Sequence, residues 1–297
     1  MGMILRGEVK EIQLGAFLML LRVKEESHEE LTGFVRAIRQ QIGAPNNLQV
    51  DLDWSSYAGK KKQLPWYLLS SFLLADHGIR VVMHGASGHT TGRLYTENIL
   101  EALSIPVAQS WQDVNDQLDQ TQFSFMPLTV LCPELQRIMD FRNDFGLRSP
   151  VHTLSRLLNP LNADYSLQSI FHPAYATNHQ LAAIALGQKH ASVFKGEGGE
   201  IERRPEASCL VKRVVDGRAD DQEWPKLLEG RQPQADNFNP LQLKQFWRGE
   251  LDDLYGYNAV IGTTAIALQL LQKAQSPQQA LLLAKQWWQE RDLNRLG

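Results

Sequence analysis

The sequence predicts an α/β fold, a mostly parallel sheet covered by helices, with a small all-helical subdomain attached. Three observations predict it. The first 43 residues read as helix alone, the segment after them alternates strand-like and helix-like runs, and the chain closes on long helical stretches. Strand–helix alternation is the pattern of a parallel sheet whose crossover helices cover its faces.

The helical start consists of "VKEIQLGAFLMLLRVK" and "SHEELTGFVRAIRQQIG". Ser27 and Glu30 stand in capping-box spacing, and Leu31, Phe34, Val35 and Ile38 share one helix face. Gly43, Pro45 and Asn46–Asn47 mark a boundary. "LQVDLDW" then reads as a strand and "PWYLLSSFLLADH" as a helix stopped by Gly78. "IRVVMHG" is a buried strand, and "YTENILEALSI" and "PELQRIMDFRNDFG" are helices. "YSLQSIF", "HASVFKG" and "ASCLVKRVV" are strand candidates, with "NHQLAAIALG" a helix between the first two. The end is "DLYGYNAVIGTTAIALQLLQKA" and then "SPQQALLLAKQWWQERD", whose Ser276, Pro277 and Gln279 form a helix start signal. The expected division is a helical subdomain of residues 1–43 plus about 133–146. The α/β domain takes residues 46–131 plus about 147–297.

Composition sets outer bounds. The chain has 297 residues, 43% of them hydrophobic and 21% charged, ample for a sizeable core. A formal charge of −3 gives no global basic field, so nucleic-acid binding would have to come from local clusters. Cys132 and Cys209 make neither a disulfide framework nor a zinc set, although one bridge between them stays open. The run Leu14–Leu21 is too short to span a bilayer, and "MGMILRG" lacks the features of a signal peptide. The expectation is a soluble, cytoplasmic protein with no membrane partner.

Chemistry concentrates in "DLDWSSYAGKKKQ", a strand-to-helix turn with one glycine, Gly59, followed by Lys60, Lys61 and Lys62. One reading is a phosphate hook at the C-terminal ends of parallel strands, where α/β proteins bind ligands. The lysines would add to the pull of the helix N-terminus. The other is a solvated polar turn. His84 and His89 stand close in "HGASGH", with Thr90, Thr91 and Arg93 behind, but no Cys or His spacing elsewhere completes a metal site. His84 then reads as a packed or hydrogen-bonded residue, while the threonines and Arg93 offer donors to a phosphate. In "FKGEGGEIERRPE", Lys195, Arg203 and Arg204 are offset by Glu197, Glu200, Glu202 and Glu206, which reads as a solvated glycine-rich loop. The pairs Trp66–Tyr67 and Trp287–Trp288 read as core or interface anchors rather than base-stacking platforms.

Several segments resemble anthranilate phosphoribosyltransferase and the nucleoside phosphorylase/phosphoribosyltransferase class II fold, glycosyltransferase family 3. They are "RGEVKEIQLGAFLMLLRVKEESHEELTGFVRAIR", "VVMHGASGHTTGRLYTENILEAL", "DFGLRSPVHTLSRLLNPL" and "YNAVIGTTAIALQL", in order along almost the whole chain. The resemblance implies transfer of a ribose phosphate from phosphoribosyl pyrophosphate to anthranilate, with magnesium on the pyrophosphate. Against that pattern, the glycine-rich pyrophosphate turn falls near Trp54–Gly59, where only Gly59 is a glycine. Met83 stands for the family's lysine and Ala86 for its asparagine, and the Asp-Glu metal pair falls near Glu200–Ile201. His84, Gly85, Thr90 and Thr91 in place of serines, and Arg148 remain. Arg148 is suited to a carboxylate or phosphate in the cleft, or to a structural ion pair.

"SSYAGKK" and "VMHG" fit the YbiB-type side branch of this family better than the enzyme. That resemblance implies a nucleic-acid (DNA)-binding protein rather than a catalyst. Its contacts would be Gly59, Lys60, Lys61, Lys62, His84, Gly85, Thr90, Thr91, Arg93 and Arg148, with no cofactor and no metal. The alternative is a phosphoribosyltransferase with an altered pyrophosphate site, for which magnesium would be required. The family also implies a homodimer through the helical subdomain. Met1, Met3, Ile4 and Leu5 read as the end of a helix that starts earlier in the family, which would weaken that dimer.

Overall fold

The structure, a computed structural model, describes residues 1–88, 90–230 and 239–297. The N-terminal part is helical as expected: a short helix Gly2–Leu5, then Glu11–Lys24 and His28–Ile42. The last starts on a reciprocal capping box. Glu30 N donates to Ser27 Oγ at 3.3 Å, and Ser27 N donates to the Glu30 carboxylate at 3.0 Å. Gly43 ends it in the left-handed conformation. Leu31, Val35 and Ile38 are buried in one apolar cluster that also holds Leu14 and Leu18 of the preceding helix and Leu135, Ile138 and Met139 of the helix Pro133–Asp140.

Among the described residues seven strands form one sheet: β1 Leu52–Ser56, β2 Val81–Gly85, β3 Phe123–Pro127, β4 Tyr165–Ile170, β5 His190–Lys195, β6 Cys209–Val215 and β7 Arg218–Trp224, in the order β3-β2-β1-β4-β5-β6-β7. Strands β1 to β5 pair in parallel, and β6 and β7 extend the β5 edge antiparallel. Strand order reverses between β1 and β4. That switch leaves a crevice beyond the carboxyl ends of the strands, the usual ligand position in open α/β sheets. One face is covered by Tyr67–Asp76 and Leu254–Leu270. The second of these is buried along almost all of its length, and Pro277–Glu290 packs behind it. The other face carries Trp111–Thr121 and Ala176–Ala185, and the N-terminal helix His28–Ile42 packs on the latter.

The structure corrects several local expectations. β1 starts at Leu52 and runs on through Ser55 and Ser56, both buried, beyond the "LQVDLDW" segment. "PELQRIMDFRNDFG" breaks at Phe141 into Pro133–Asp140 and Arg142–Phe145. β3 and β7 were not expected, nor were the helices Trp111–Thr121 and Leu241–Trp247. β7 reads "RADDQEW", an exposed polar edge strand without an apolar face to announce it. Cys132 and Cys209 are both buried free thiols. Trp66, Tyr67 and Trp288 are buried, Trp66 against Phe246 and Trp288 against Trp247, so these aromatics anchor the core. Among the described residues no helix is long and apolar enough to cross a membrane.

Candidate anion-binding site

β1 ends at Ser56 and the chain turns through Ala58 and Gly59. Gly59 has φ +66°, and a Cβ there would stand 3.0 Å from the Tyr95 ring, so the turn requires glycine. The backbone amides of Ala58 and Gly59 both donate to Glu200 Oε1, at 2.6 and 2.5 Å. Ser56 Oγ donates to Glu200 Oε2 at 2.9 Å. The anion in this turn is therefore the protein's own carboxylate, fully buried.

Lys60 differs from the exposed cation that its triplet suggests. It is 1% exposed, and its Nζ lies 2.5 Å from the buried Glu202 carboxylate. The other oxygen of Glu202 accepts the backbone N–H of Tyr67 at 3.0 Å, so an acid supplied from far along the chain caps the next helix. That helix begins only at Tyr67, past the lysines, so its dipole does not act directly on Lys61 and Lys62. Burial raises the Glu202 pKa to about 7 against the opposing pull of Lys60 and the Tyr67 amide.

Beside this turn lies a cavity of ≈ 570 Å³ opening at the ends of β1, β4 and β5. Its basic lining groups besides Lys60 are Lys61, Lys62, Arg93, Lys195, Arg204 and Lys212. Arg204 is paired with Glu206 and Lys212 with Asp221. Lys61, Lys62 and Lys195 are exposed and make no ion pair among the described residues. Arg93 spends one nitrogen on three carbonyls, those of Ala58 (3.0 Å), Gly59 (2.8 Å) and Gly198 (3.2 Å), and so ties the β1 turn to the loop after β5.

That loop is not a solvated segment. Gly199, Glu200, Ile201, Glu202 and Arg203 are buried, while Lys195, Gly196, Glu197, Gly198 and Arg204 on either side of them line the cavity. Arg156, buried, donates to the carbonyls of Gly199 (2.6 Å) and Ser169 (3.0 Å), and Arg203 stacks over Trp224. Of the residues that build this site, the sequence reading passed over Arg156 and took Lys195, Glu200 and Glu202 for members of a solvated loop. The available signal was the count of acids in "GEGGEIE" matched against the lysines of the β1 turn.

The remaining expected contacts divide. His84 is fully buried: Tyr57 Oη lies 2.7 Å from its Nδ1, and its Nε2 stands 3.2 Å from Asp53 Oδ1 without an aligned hydrogen bond. Its ring is spent on interior neighbours and lines neither the cavity nor the smaller crevice at Arg148. Gly85 is glycine because a Cβ would fall 2.0 Å from the Ser56 carbonyl oxygen. Thr90 accepts a hydrogen bond from Arg142, and Thr91 is exposed on the same loop; neither lines the cavity. His89, considered with His84 as half of a metal site, lies outside the described residues.

Arg148 lines a second, smaller crevice of ≈ 120 Å³, which shares Ile170 and Phe171 with the larger cavity. It makes no hydrogen bond or ion pair among the described residues. Burial, and then the nearby Arg93, Arg142 and Arg156, push its pKa down to about 10. So Lys61, Lys62 and Arg93 share one cavity, Arg148 stands next door, and Lys60, His84 and Gly85 belong to the supporting structure.

A magnesium ion, implied by the resemblance, does not fit the acids present. Both oxygens of Glu200 and both of Glu202 accept from protein donors. Among the described residues no group of three or more His, Cys, Asp and Glu is arranged to hold a metal.

Helical bundle, switched parallel sheet and basic mouth define the class: a two-part α/β protein with a cationic crevice at the switch point. The helical bundle domain of a glycosyl transferase family matches residues 1–42, and the a/b domain of that family matches residues 67–288. The chain belongs to this glycosyl transferase family. It is 31% identical to the Escherichia coli (strain K12) protein YbiB over 78% of this chain and 71% of that one. It is 29% identical to the anthranilate phosphoribosyltransferase of Pyrococcus furiosus over 72% of this chain and 65% of that one. The structure resembles the anthranilate phosphoribosyltransferase of Thermus thermophilus with a TM-score of 0.80, 20% identity and coverage of 99% and 93%. It resembles the Saccharomyces cerevisiae enzyme, solved with PRPP and Mg, with a TM-score of 0.78 at 15% identity over 96% of this chain and 83% of that one. At such identities these likenesses establish the fold. The β1 turn lies between the two matched segments.

Proposed function

We propose that the protein binds the phosphate backbone of a nucleic acid, DNA being the first candidate, in the cationic cavity, without a divalent metal. The observation that carries this reading is that Lys61, Lys62 and Lys195 stand exposed around one mouth with no ion pair among the described residues, while Glu200 and Glu202 are turned inward and only Glu197 and Glu223 remain as acids on the lining. Contacts of this kind hold phosphates without reading bases, so binding should be salt-dependent and sequence-tolerant. The test is fluorescence anisotropy of labelled single- and double-stranded oligonucleotides, with EDTA or with magnesium. The reading requires equal affinity in both, and a loss of binding on chelation would contradict it.

A second reading rests on the transferase relatives and on the likeness to an enzyme solved with PRPP and Mg. It is phosphoribosyl transfer through an altered pyrophosphate site. It needs Glu200 and Glu202 released from their internal partners, and its mark would be magnesium-dependent release of pyrophosphate from PRPP with anthranilate.

We further propose a homodimer through the helical part, in a cytoplasmic protein. On the helix Glu11–Lys24 the face opposite the buried Leu14, Leu18 and Leu21 exposes Ile12 (80%), Leu20 (72%) and Val23 (84%), an apolar stripe suited to a second copy. Mass measurement in solution should give a dimer that Leu20→Glu converts to monomer; a monomeric parent protein would contradict this.

A further inference from the structure

At the carboxyl end of β1, three donors converge on one buried point. The amides of Ala58 and Gly59 and the hydroxyl of Ser56 all reach the Glu200 carboxylate, within 2.5 to 2.9 Å. Successive backbone N–H groups aimed at a single acceptor form an anion cradle, and they present the same face to a phosphoryl oxygen as to a carboxylate. The occupant comes from a loop built to deliver it. Gly198 and Gly199 have φ +66° and +93°, and a Cβ on Gly199 would lie 3.2 Å from the Ala58 Cβ, so the loop rests directly on the turn. Arg156 and Ser169 hold the Gly199 carbonyl at 2.6 and 2.5 Å, and Arg93 holds that of Gly198.

We propose that Glu200 is a specificity-determining residue that acts by exclusion. Its carboxylate fills the cradle and denies it to pyrophosphate or a terminal phosphate. The adjoining cavity is left to anions that side chains alone can hold, such as internal phosphodiesters. A tethered occupant competes at an effective concentration in the millimolar range or above. A free phosphate compound present at micromolar concentration therefore does not displace it. The inference concerns which anions the turn admits and stands independently of the nucleic-acid reading.

The test is titration with inorganic pyrophosphate in the absence of metal, followed by the ¹⁵N-amide resonances of Ala58 and Gly59. The proteins compared are the parent, Glu200→Ala, Glu200→Gln and Glu197→Ala. Glu197 lines the same cavity, and its replacement removes the same charge without touching the cradle. In the parent, the Ala58 and Gly59 resonances should stay in place at pyrophosphate concentrations that move those of Lys61 and Lys62. In Glu200→Ala they should shift and saturate, with affinity raised at least tenfold. Glu200→Gln, which keeps a neutral acceptor in place, should gain less, and Glu197→Ala should show no saturable shift at Ala58 and Gly59. The proposal is overturned if a folded Glu200→Ala gains nothing, or if Glu197→Ala gains as much. Should Glu200→Ala fail to fold, Glu200→Gln against Glu197→Gln decides: equal responses at Ala58 and Gly59 overturn the proposal.

Discussion

The β1 turn and the loop after β5 carry opposite signs in sequence, and each conceals what the other explains. Read alone, Lys60–Lys62 is a uniform basic run and Glu197–Glu202 a polar acidic loop. In the fold Lys60 is buried by Glu202, 142 residues away, and the Ala58 and Gly59 amides are filled by Glu200. Lys61 and Lys62 point the other way, into the cavity. Adjacent identical residues thus perform different work, because Lys60 is held in a backbone bridge to Leu94 while Lys61 and Lys62 lie in the bend that follows it.

The sharpest break in this contrast is Lys60→Met. It strands Glu202 in the interior, and the expected cost is about 3–5 kcal/mol at pH 8, read by urea unfolding. The sign of the pH dependence follows from Glu202. Burial holds its pKa at about 7, above the ordinary 4.5, so the folded chain keeps the proton longer than the unfolded one. Its contribution to stability is fully present below about pH 4.5 and is lost as pH rises through about 7. The Lys60→Met penalty should accordingly shrink at pH 5, and Lys60→Met with Glu202→Leu should recover most of it. A penalty equal at both pH values would remove Glu202 from the explanation.

Arg156→Met tests the support beneath the loop. It leaves the Gly199 and Ser169 carbonyls without their charged donor, an expected loss of about 1.5–3 kcal/mol in the same unfolding measurement. Gly85→Ala sets the structural role of that glycine against a ligand contact. Its Cβ would press on the Ser56 carbonyl, so a loss of about 1–3 kcal/mol is expected, with oligonucleotide affinity little changed in the folded fraction. By contrast, Lys62→Ala should leave the melting temperature within a degree or so of the parent, since an exposed unpaired lysine stabilises little.

Much of the fold was legible in the sequence because its signals are local. The Ser27–Glu30 box, the Leu31–Val35–Ile38 face and the strands β2, β4, β5 and β6 declare themselves within a few residues. β7 did not, since an exposed polar edge strand has no apolar alternation; β3, five residues ending in proline, offers too short a pattern to separate from a loop. At the site, Lys61, Lys62 and Arg93 were legible as donors at a strand end. The burial of Lys60, and the inward turn of Glu200 and Glu202, depend on pairing across the sheet, which no local window contains.

The central claim is that the three unpaired lysines hold phosphate. The most direct test measures oligonucleotide affinity across a salt series for the parent and for Lys61→Ala/Lys62→Ala/Lys195→Ala. Each lysine in contact with phosphate contributes roughly 0.7–0.9 to the slope of log affinity against log salt. The variant should therefore bind more weakly at low salt, with a slope shallower by roughly 2.1 to 2.7. An unchanged slope and affinity in a fully folded variant would contradict the assignment of this cavity.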